Sequence, residues 1–266
     1  MTTTQGSAMT QVHEIHIPPL PPDEEIDRLV RLLPPMTRIT QPKLYGIENV
    51  PESHALLVGN HTIYGFLDLP FMMAALWQER GISVRGLGEH GHYGIPVWRD
   101  FLAKCGMVRG TRANCGELMR RGENVLVFPG GAREVNKRRG EKYTLIWKQR
   151  MGFARLAIEH GTEIVPFAGV GAEEMLDIVL DVDSPLLAPL VGAAGKVGLR
   201  VPALVRGVGP TPLPKPQRLY FWFGEPIPTK QHKGKHEDDA ALEDRVLLGQ
   251  EERRALKVDE ARLVLA

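Results

Sequence analysis

The sequence predicts an α/β fold: one domain built on a twisted, mostly parallel or mixed sheet flanked by helices. Three observations lead there. Short runs rich in apolar residues recur at Ala55–Val58, Ser83–Leu87, Val125–Phe128, Ile164–Phe167 and Leu219–Phe223, with the length of buried strands. Between them lie stretches of helical character at Leu69–Arg80, Pro96–Lys104, Ala113–Arg121 and Leu145–His160, and such alternation favours a sheet with a substantial parallel component. Three strands are followed by polar or glycine-rich turns, carrying His61, Glu89-His90-Gly91-His92 and Pro129-Gly130-Gly131. Ligands of such sheets gather at the carboxyl ends of strands, so these segments are expected to converge on one crevice.

Composition sets outer limits. With 266 residues, 43% hydrophobic and 24% charged, the chain can bury a sizeable core and lacks the bias of disordered or fibrous proteins. A formal net charge of +1 gives no reason to expect a nucleic-acid partner. Cys105 and Cys115 form neither a disulfide framework nor a zinc spacing, and read as reduced thiols of a cytoplasmic protein. Met1–Thr10 lacks the basic start and apolar middle of an export signal. No uncharged apolar run reaches the length of a membrane span.

Residues 1–44 are expected to form an N-terminal arm with a short amphipathic helix, 45–230 the α/β domain, and 231–266 a charged helical tail. The arm begins polar and proline-rich, reading as loose to residue 22. Asp23 is placed to cap a helix through Leu33, which Pro34-Pro35 would stop. Its apolar face, Ile26, Leu29, Val30 and Leu33, docks either on the domain or on a membrane surface. Ser184–Pro216 is apolar, broken by proline and glycine, and punctuated by Lys196, Arg200, Arg206 and Lys215. Those charges oppose a bilayer span. The stretch either lines an acyl pocket, lies at an anionic lipid surface, or covers the core.

The chemistry centres on Asn60-His61. A base at the end of a buried strand has a fixed backbone and an open side. A histidine base needs an acid to hold its tautomer, and Asp68, seven residues on, is a candidate that could equally cap the helix starting at Leu69. The turn between must be compact, which Gly65 permits. The bare amides of Gly130 and Gly131 can approach an anion or oxyanion, with Arg133 and Glu134 beside them. Gly106–Arg112 adds Arg109 and Arg112 in another turn, suited to a phosphate or to solvent. None of the four serines lies in a G-x-S-x-G elbow, and neither a Walker loop nor a dinucleotide fingerprint stands at a strand-helix junction. His90 and His92 lack a clear third metal ligand.

Taken together, these segments resemble the glycerolipid acyltransferase superfamily, over roughly residues 45–226. Asn60-His61 through Asp68 is similar to the family's histidine-acid block, Gly106 through Arg112 to the second, Phe128-Pro129-Gly130-Gly131-Ala132-Arg133-Glu134 to the third, and Ile164-Val165-Pro166 to the fourth. Two positions depart. The family's acid five places after the histidine is Phe66 here, and its glutamate before glycine is Gly130, with Glu134 following the arginine instead. That form is closer to the diacylglycerol-acyltransferase-like and phytyl-ester-synthase-like branch, which puts a phosphate-bearing acceptor in question and leaves a neutral lipid or alcohol open.

The resemblance implies transfer of a fatty acyl group from acyl-CoA to a hydroxyl of a glycerolipid or other lipid alcohol. His61 would be the general base, with Asp68 or Glu134 orienting it. Gly130 and Gly131 would face the oxyanion, Arg112 and Arg133 a phosphate or polar head, and Asn60 and Pro166 would line the substrate site. It implies neither a metal nor a redox cofactor, and a cytoplasmic protein peripherally attached to membranes. A non-catalytic lipid-binding protein and a thioesterase are the alternatives.

Overall fold

A computed structural model describes residues 15–63, 65–147, 150–196 and 203–232. The tail expected at 231–266 lies outside the described residues from 233 onward. Seven strands form one sheet in the order β1-β9-β6-β2-β5-β3-β4. They are β1 (Lys43–Tyr45), β2 (Ala55–Gly59), β3 (Arg85–Gly88), β4 (Val108–Arg109), β5 (Val125–Val127), β6 (Glu163–Val170) and β9 (Tyr220–Phe223). All neighbours are parallel except β6 and β9, so the edge pair β1–β9 runs against the other five. Two further strands, β7 (Asp177–Leu180) and β8 (Leu204–Arg206), pair antiparallel in a separate annex.

The centre of the sheet is β2, every residue of which is buried. Alternation divides its side chains between two cores. Leu57 joins Leu126, Val165 and Phe167 with Phe71, Met72 and Leu76 of α3 (Leu69–Arg80) on one face. Leu56 and Val58 join Leu118 and Met119 of α5 (Arg112–Arg120) and Ala157 of α7 (Gly152–His160) on the other. The sandwich of helix, sheet and helix therefore holds the end of β2 rigidly from both sides. Truncating a residue such as Leu57 to alanine is expected to cost about 2–5 kcal/mol.

The expected strands appear with ends displaced by at most three residues, and α3 has its expected bounds. So does α4 (Pro96–Lys104). It connects β3 to β4, yet contains no buried residue, whereas the crossover helices α3, α5 and α7 each bury four or five. The helix expected over Leu145–His160 begins only at Gly152. The reason is tertiary: Ile146 N and Trp147 Nε1 donate to Glu134, drawing that segment inward.

At the N-terminus, α1 (Asp23–Val30) has Pro22 at its cap position and Asp23 as its first helical residue. Pro34 and Pro35 do more than stop it. They open α2 (Pro34–Thr40), where the missing N–H groups cost nothing. Residues 16–18 are pinned rather than loose: His16 N donates to Asn114 Oδ1 at 3.0 Å, and Arg85 Nη2, on a side chain buried in β3, donates to Pro18 O at 2.6 Å. The remaining helices are the single turn α6 (Ala132–Val135) and α8 (Ala188–Lys196) in the annex.

Candidate active site

The site is built outward from the carboxyl end of β2. Asn60 follows the strand, buried, and its amide clamps the backbone of β6: Nδ2 donates to Gly169 O at 2.9 Å, and Oδ1 accepts from Gly169 N at 2.8 Å. Both ends of the side chain are thereby used in joining strands. Asn60, expected to contact substrate, instead fixes where the chain leaves the sheet. Gly59 before it is required by packing, because a Cβ there would lie 2.3 Å from the Phe167 ring.

His61 comes next, half-buried. Its ring stacks on Phe128 with centroids 4.1 Å apart and planes at 27°. Gly65 closes the other side: with φ of +65°, a Cβ there would sit 2.1 Å from His61 Cε1. The imidazole is therefore gripped by a phenyl face and a bare backbone. Burial, and then the Lys137 ammonium, push its pKa down to about 3, against a weaker opposing contribution from the Thr62 backbone. The ring is a neutral imidazole at physiological pH.

Neither expected carboxylate is hydrogen-bonded to that ring among the described residues, where His61 Nδ1 is buried without a hydrogen-bond partner. Asp68 is the N-cap of α3, its Oδ1 accepting from Leu69 N and from Thr62 Oγ1, each at 2.9 Å. Burial raises its pKa to about 6, the Thr62 and Leu69 hydrogen bonds opposing the rise. Glu134, fully buried, holds the histidine by its main chain: Oε2 accepts from His61 N at 3.2 Å and from Trp147 Nε1 at 3.2 Å, and Oε1 accepts from Ile146 N at 3.4 Å. Burial raises the Glu134 pKa, and these donors and Lys137 counteract it.

The glycine pair serves Glu134. A Cβ on Gly130 would lie 2.3 Å from Glu134 Oε2, so only glycine lets the carboxylate reach His61. Gly131 has a φ of +53° and its N–H donates to Phe128 O at 3.0 Å, an amide spent inside the turn. Arg150 Nη1 braces the same turn, donating to Pro129 O and Gly130 O at 3.0 Å.

The two arginines expected to hold a polar head are placed differently. Arg133 donates to Glu141 Oε1 at 2.5 Å and to Asn136 O at 3.1 Å, committing it to its own loop. Arg112 is the exposed first residue of α5, with Nη2 3.6 Å from Glu159 Oε2 of α7. Its parent turn lies at β4, the far edge of the sheet from β2 by two intervening strands. Pro166 is buried within β6, opposite Val58.

Sequence reading missed a buried ion pair, Lys137 with Glu173. Both side chains are buried, and Glu173 also accepts from Tyr143 N. Lys137 opens the run Lys137-Arg138-Arg139, which as a string reads as a solvated basic turn. Only the fold brings its ammonium close enough to depress the His61 pKa.

These features define a class. The acyltransferase family model matches residues 41–170, which include the His61 and Glu134 segments. Phytyl ester synthase 1 of Arabidopsis thaliana is 32% identical over 213 residues, covering 70% of this chain and 29% of that protein. A mouse protein described as a DGAT1/2-independent enzyme synthesizing storage lipids is 32% identical over 124 residues, covering 47% of this chain and 37% of its own. The crystal structure of the 1-acyl-sn-glycerophosphate acyltransferase PlsC from Thermotoga maritima superimposes with a TM-score of 0.53, at 18% identity, covering 88% of this chain and 80% of that one.

The chain belongs to the acyltransferase family and has the PlsC fold. It spans under a third of the length of the two plant phytyl ester synthases it matches, 29% of each.

Proposed function

We propose that the protein transfers a fatty acyl group from a thioester, acyl-CoA, to the hydroxyl of a lipid alcohol or glycerolipid, with His61 as general base. The observation that carries this is a neutral imidazole gripped between Phe128 and Gly65 at the carboxyl end of the central strand. His61 takes the hydroxyl proton as the oxygen attacks the thioester carbonyl. The tetrahedral intermediate then expels the thiolate, which recovers the proton from the imidazolium. The Glu134 carboxylate, which accepts the His61 main-chain N–H, is the buried anion beside that imidazolium. Substrate must supply or complete the contact at Nδ1, since catalytic hydrogen bonds are often long before substrate binds.

A neutral acceptor is favoured. Arg133 is engaged by Glu141 and Arg112 stands away from the His61 loop, so neither cation expected for a phosphate is poised beside the base. The names of the plant and mouse relatives point the same way, to phytyl esters and storage lipids. Peripheral attachment to a membrane, as the source of acceptor, belongs to this reading, as does a cytoplasmic location; no helix among the described residues is long and apolar enough to cross a membrane.

The test is a folded His61→Ala variant assayed with radiolabelled acyl-CoA and long-chain alcohols or diacylglycerol. Loss of a general base should reduce turnover on the order of 10² to 10⁴. Wild-type rates in that variant would refute the mechanism. The unpartnered Nδ1 favours a second reading, acyl-lipid binding without turnover, which predicts no release of CoA with any acceptor. Free fatty acid released equally fast with and without acceptor would mark a thioesterase.

A further inference from the structure

The apolar stretch Ser184–Pro216 takes no part in the chemistry above. We propose that the annex formed by β7, α8 and β8 is the surface that seats the protein on an anionic lipid bilayer, with α8 and its lead-in inserted among the headgroups. The proposal rests on the acyl-transfer reading in one respect, that the bilayer supplies the acceptor.

The sequence of α8, Ala-Pro-Leu-Val-Gly-Ala-Ala-Gly-Lys, has one charge, at its end. Every residue of it whose burial is described is exposed. A helix on a soluble surface shows one apolar stripe turned to the core, and a helix apolar all round belongs in an apolar medium. Leu186, just ahead of it, is 77% exposed, Leu190 is 56% exposed, and Leu213, beyond β8, is 64% exposed. At nine residues the helix is about 14 Å long, under half of a hydrocarbon core, so it lies in the interface and does not span it.

Charge selects a lipid surface as the occupant. Ser184–Pro216 contains Lys196, Arg200, Arg206 and Lys215 and no aspartate or glutamate. Acids do occur just before it, but each has a cationic or backbone partner: Asp177 with Lys215 at 2.5 Å, Asp183 with Arg138 at 2.9 Å, and Asp181 with Arg139 N at 2.8 Å. In sequence the stretch therefore couples apolar residues with four cations and no acid, one of the cations, Lys215, being engaged by Asp177, and that is the pairing that anionic interfaces attract.

Position supports the same occupant. The annex leaves the main sheet just after Gly169, the residue clamped by Asn60. Glu173, at its root, pairs with Lys137, whose ammonium acts electrostatically on His61. The annex is thus tied at its root to the segments that hold Asn60 and Lys137 beside the base. Another helix that exposes apolar residues, α4, differs in having its aromatics partly self-satisfied: Trp98 stacks on Phe101 at 5.3 Å and donates to His92 Nδ1 at 3.1 Å.

The experiment is flotation of the full chain with vesicles of phosphatidylcholine and phosphatidylglycerol, and with pure phosphatidylcholine. The wild type should float with the mixed vesicles, less so in high salt. Leu186→Glu/Leu190→Glu should weaken partitioning by on the order of tenfold or more. The same variant should keep wild-type turnover of a short, water-soluble thioester and alcohol. Unchanged flotation of this variant overturns the proposal, as does failure of the wild type to float. So does loss confined to a Val97→Glu/Phe101→Glu variant, which would place the seat on α4. Absence of turnover in the wild type with every substrate would count against the acyl-transfer reading and leave the flotation result standing.

Discussion

Glu134 grips His61 by its main chain: Oε2 accepts the His61 N–H at 3.2 Å while the imidazole itself is held by Phe128 and Gly65. Backbone and ring are fixed by different neighbours. A carboxylate is suited to this task because it accepts several N–H groups at once, here from His61, Ile146 and Trp147. Glutamine has one acceptor oxygen and would point an amino group at one of these donors. Glu134→Gln is therefore expected to lower stability by about 1–3 kcal/mol, measured from urea midpoints. It should lower kcat more than it raises KM for the acyl thioester, because the loss is in placement of the base and not in binding. A variant with the wild-type urea midpoint and kcat would show that the Glu134 contacts do not position the histidine.

Gly65 offers a sharper test of the ring's position. Alanine there adds a Cβ 2.1 Å from His61 Cε1 in a left-handed conformation. The conformational strain alone costs about 1 kcal/mol; the overlap must also displace the imidazole, and a misplacement near 1 Å can cost on the order of 10² in rate. Gly81 is the control, with a φ of +64° and open space around the same atom. Gly81→Ala should match Gly65→Ala in strain and keep its activity. Equal activity of the two variants would mean that the observed ring position is not the one used.

The sheet and the place of His61 at the end of its central strand were legible in the sequence because both are written locally. Ala55–Gly59 is a continuous apolar run ending in a polar turn, and a strand that short, bounded by glycine, has few other readings. The capping role of Asp68 was legible too, as one of two roles open to it. What the sequence hid depends on contacts across the fold. Ile146 and Trp147 sit in a stretch of helical character, yet hydrogen bonds to a glutamate twelve and thirteen residues back keep them out of a helix. Asn60 looks like a substrate ligand beside His61 until Gly169, 109 residues away, occupies both ends of its amide. Lys137 reads as surface because its neighbours Arg138 and Arg139 are basic and exposed, and only its partner Glu173 explains its burial. Two-residue β4 carries too little periodicity to be read at all.

The Lys137–Glu173 pair yields a test of buried charge. Removing one partner of a buried pair leaves the other uncompensated, at about 3–5 kcal/mol, whereas replacing both with apolar residues of similar volume is often near neutral. Lys137→Met should be strongly destabilised, and Lys137→Met/Glu173→Leu should recover part of the loss. The recovery should be incomplete, since Tyr143 N also donates to Glu173. Additive losses in a denaturation cycle would show that the two charges do not stabilise one another.

The pH dependence of stability should reveal His61 and Asp68 pulling in opposite directions. The histidine is held at about 3, below its ordinary 6.5. Below that ordinary value the unfolded chain takes up a proton that the folded state refuses. The His61 contribution is therefore present above about pH 6.5 and is lost progressively as pH falls toward 3. Asp68 is raised from 3.8 to about 6. Between those values the folded state keeps a proton that the unfolded chain has released, so the Asp68 contribution is full below 3.8 and is lost as pH rises through about 6. Each contribution is of the order of a few kcal/mol, and within their shared window they largely cancel. Removing either one should unmask the other. On acidification from about pH 7 to about pH 4.5, the urea midpoint of His61→Gln should fall less than that of the wild type, and that of Asp68→Asn should fall more. Parallel curves for all three proteins would mean that the two groups titrate near their ordinary values and that the pocket is wetter than its packing indicates.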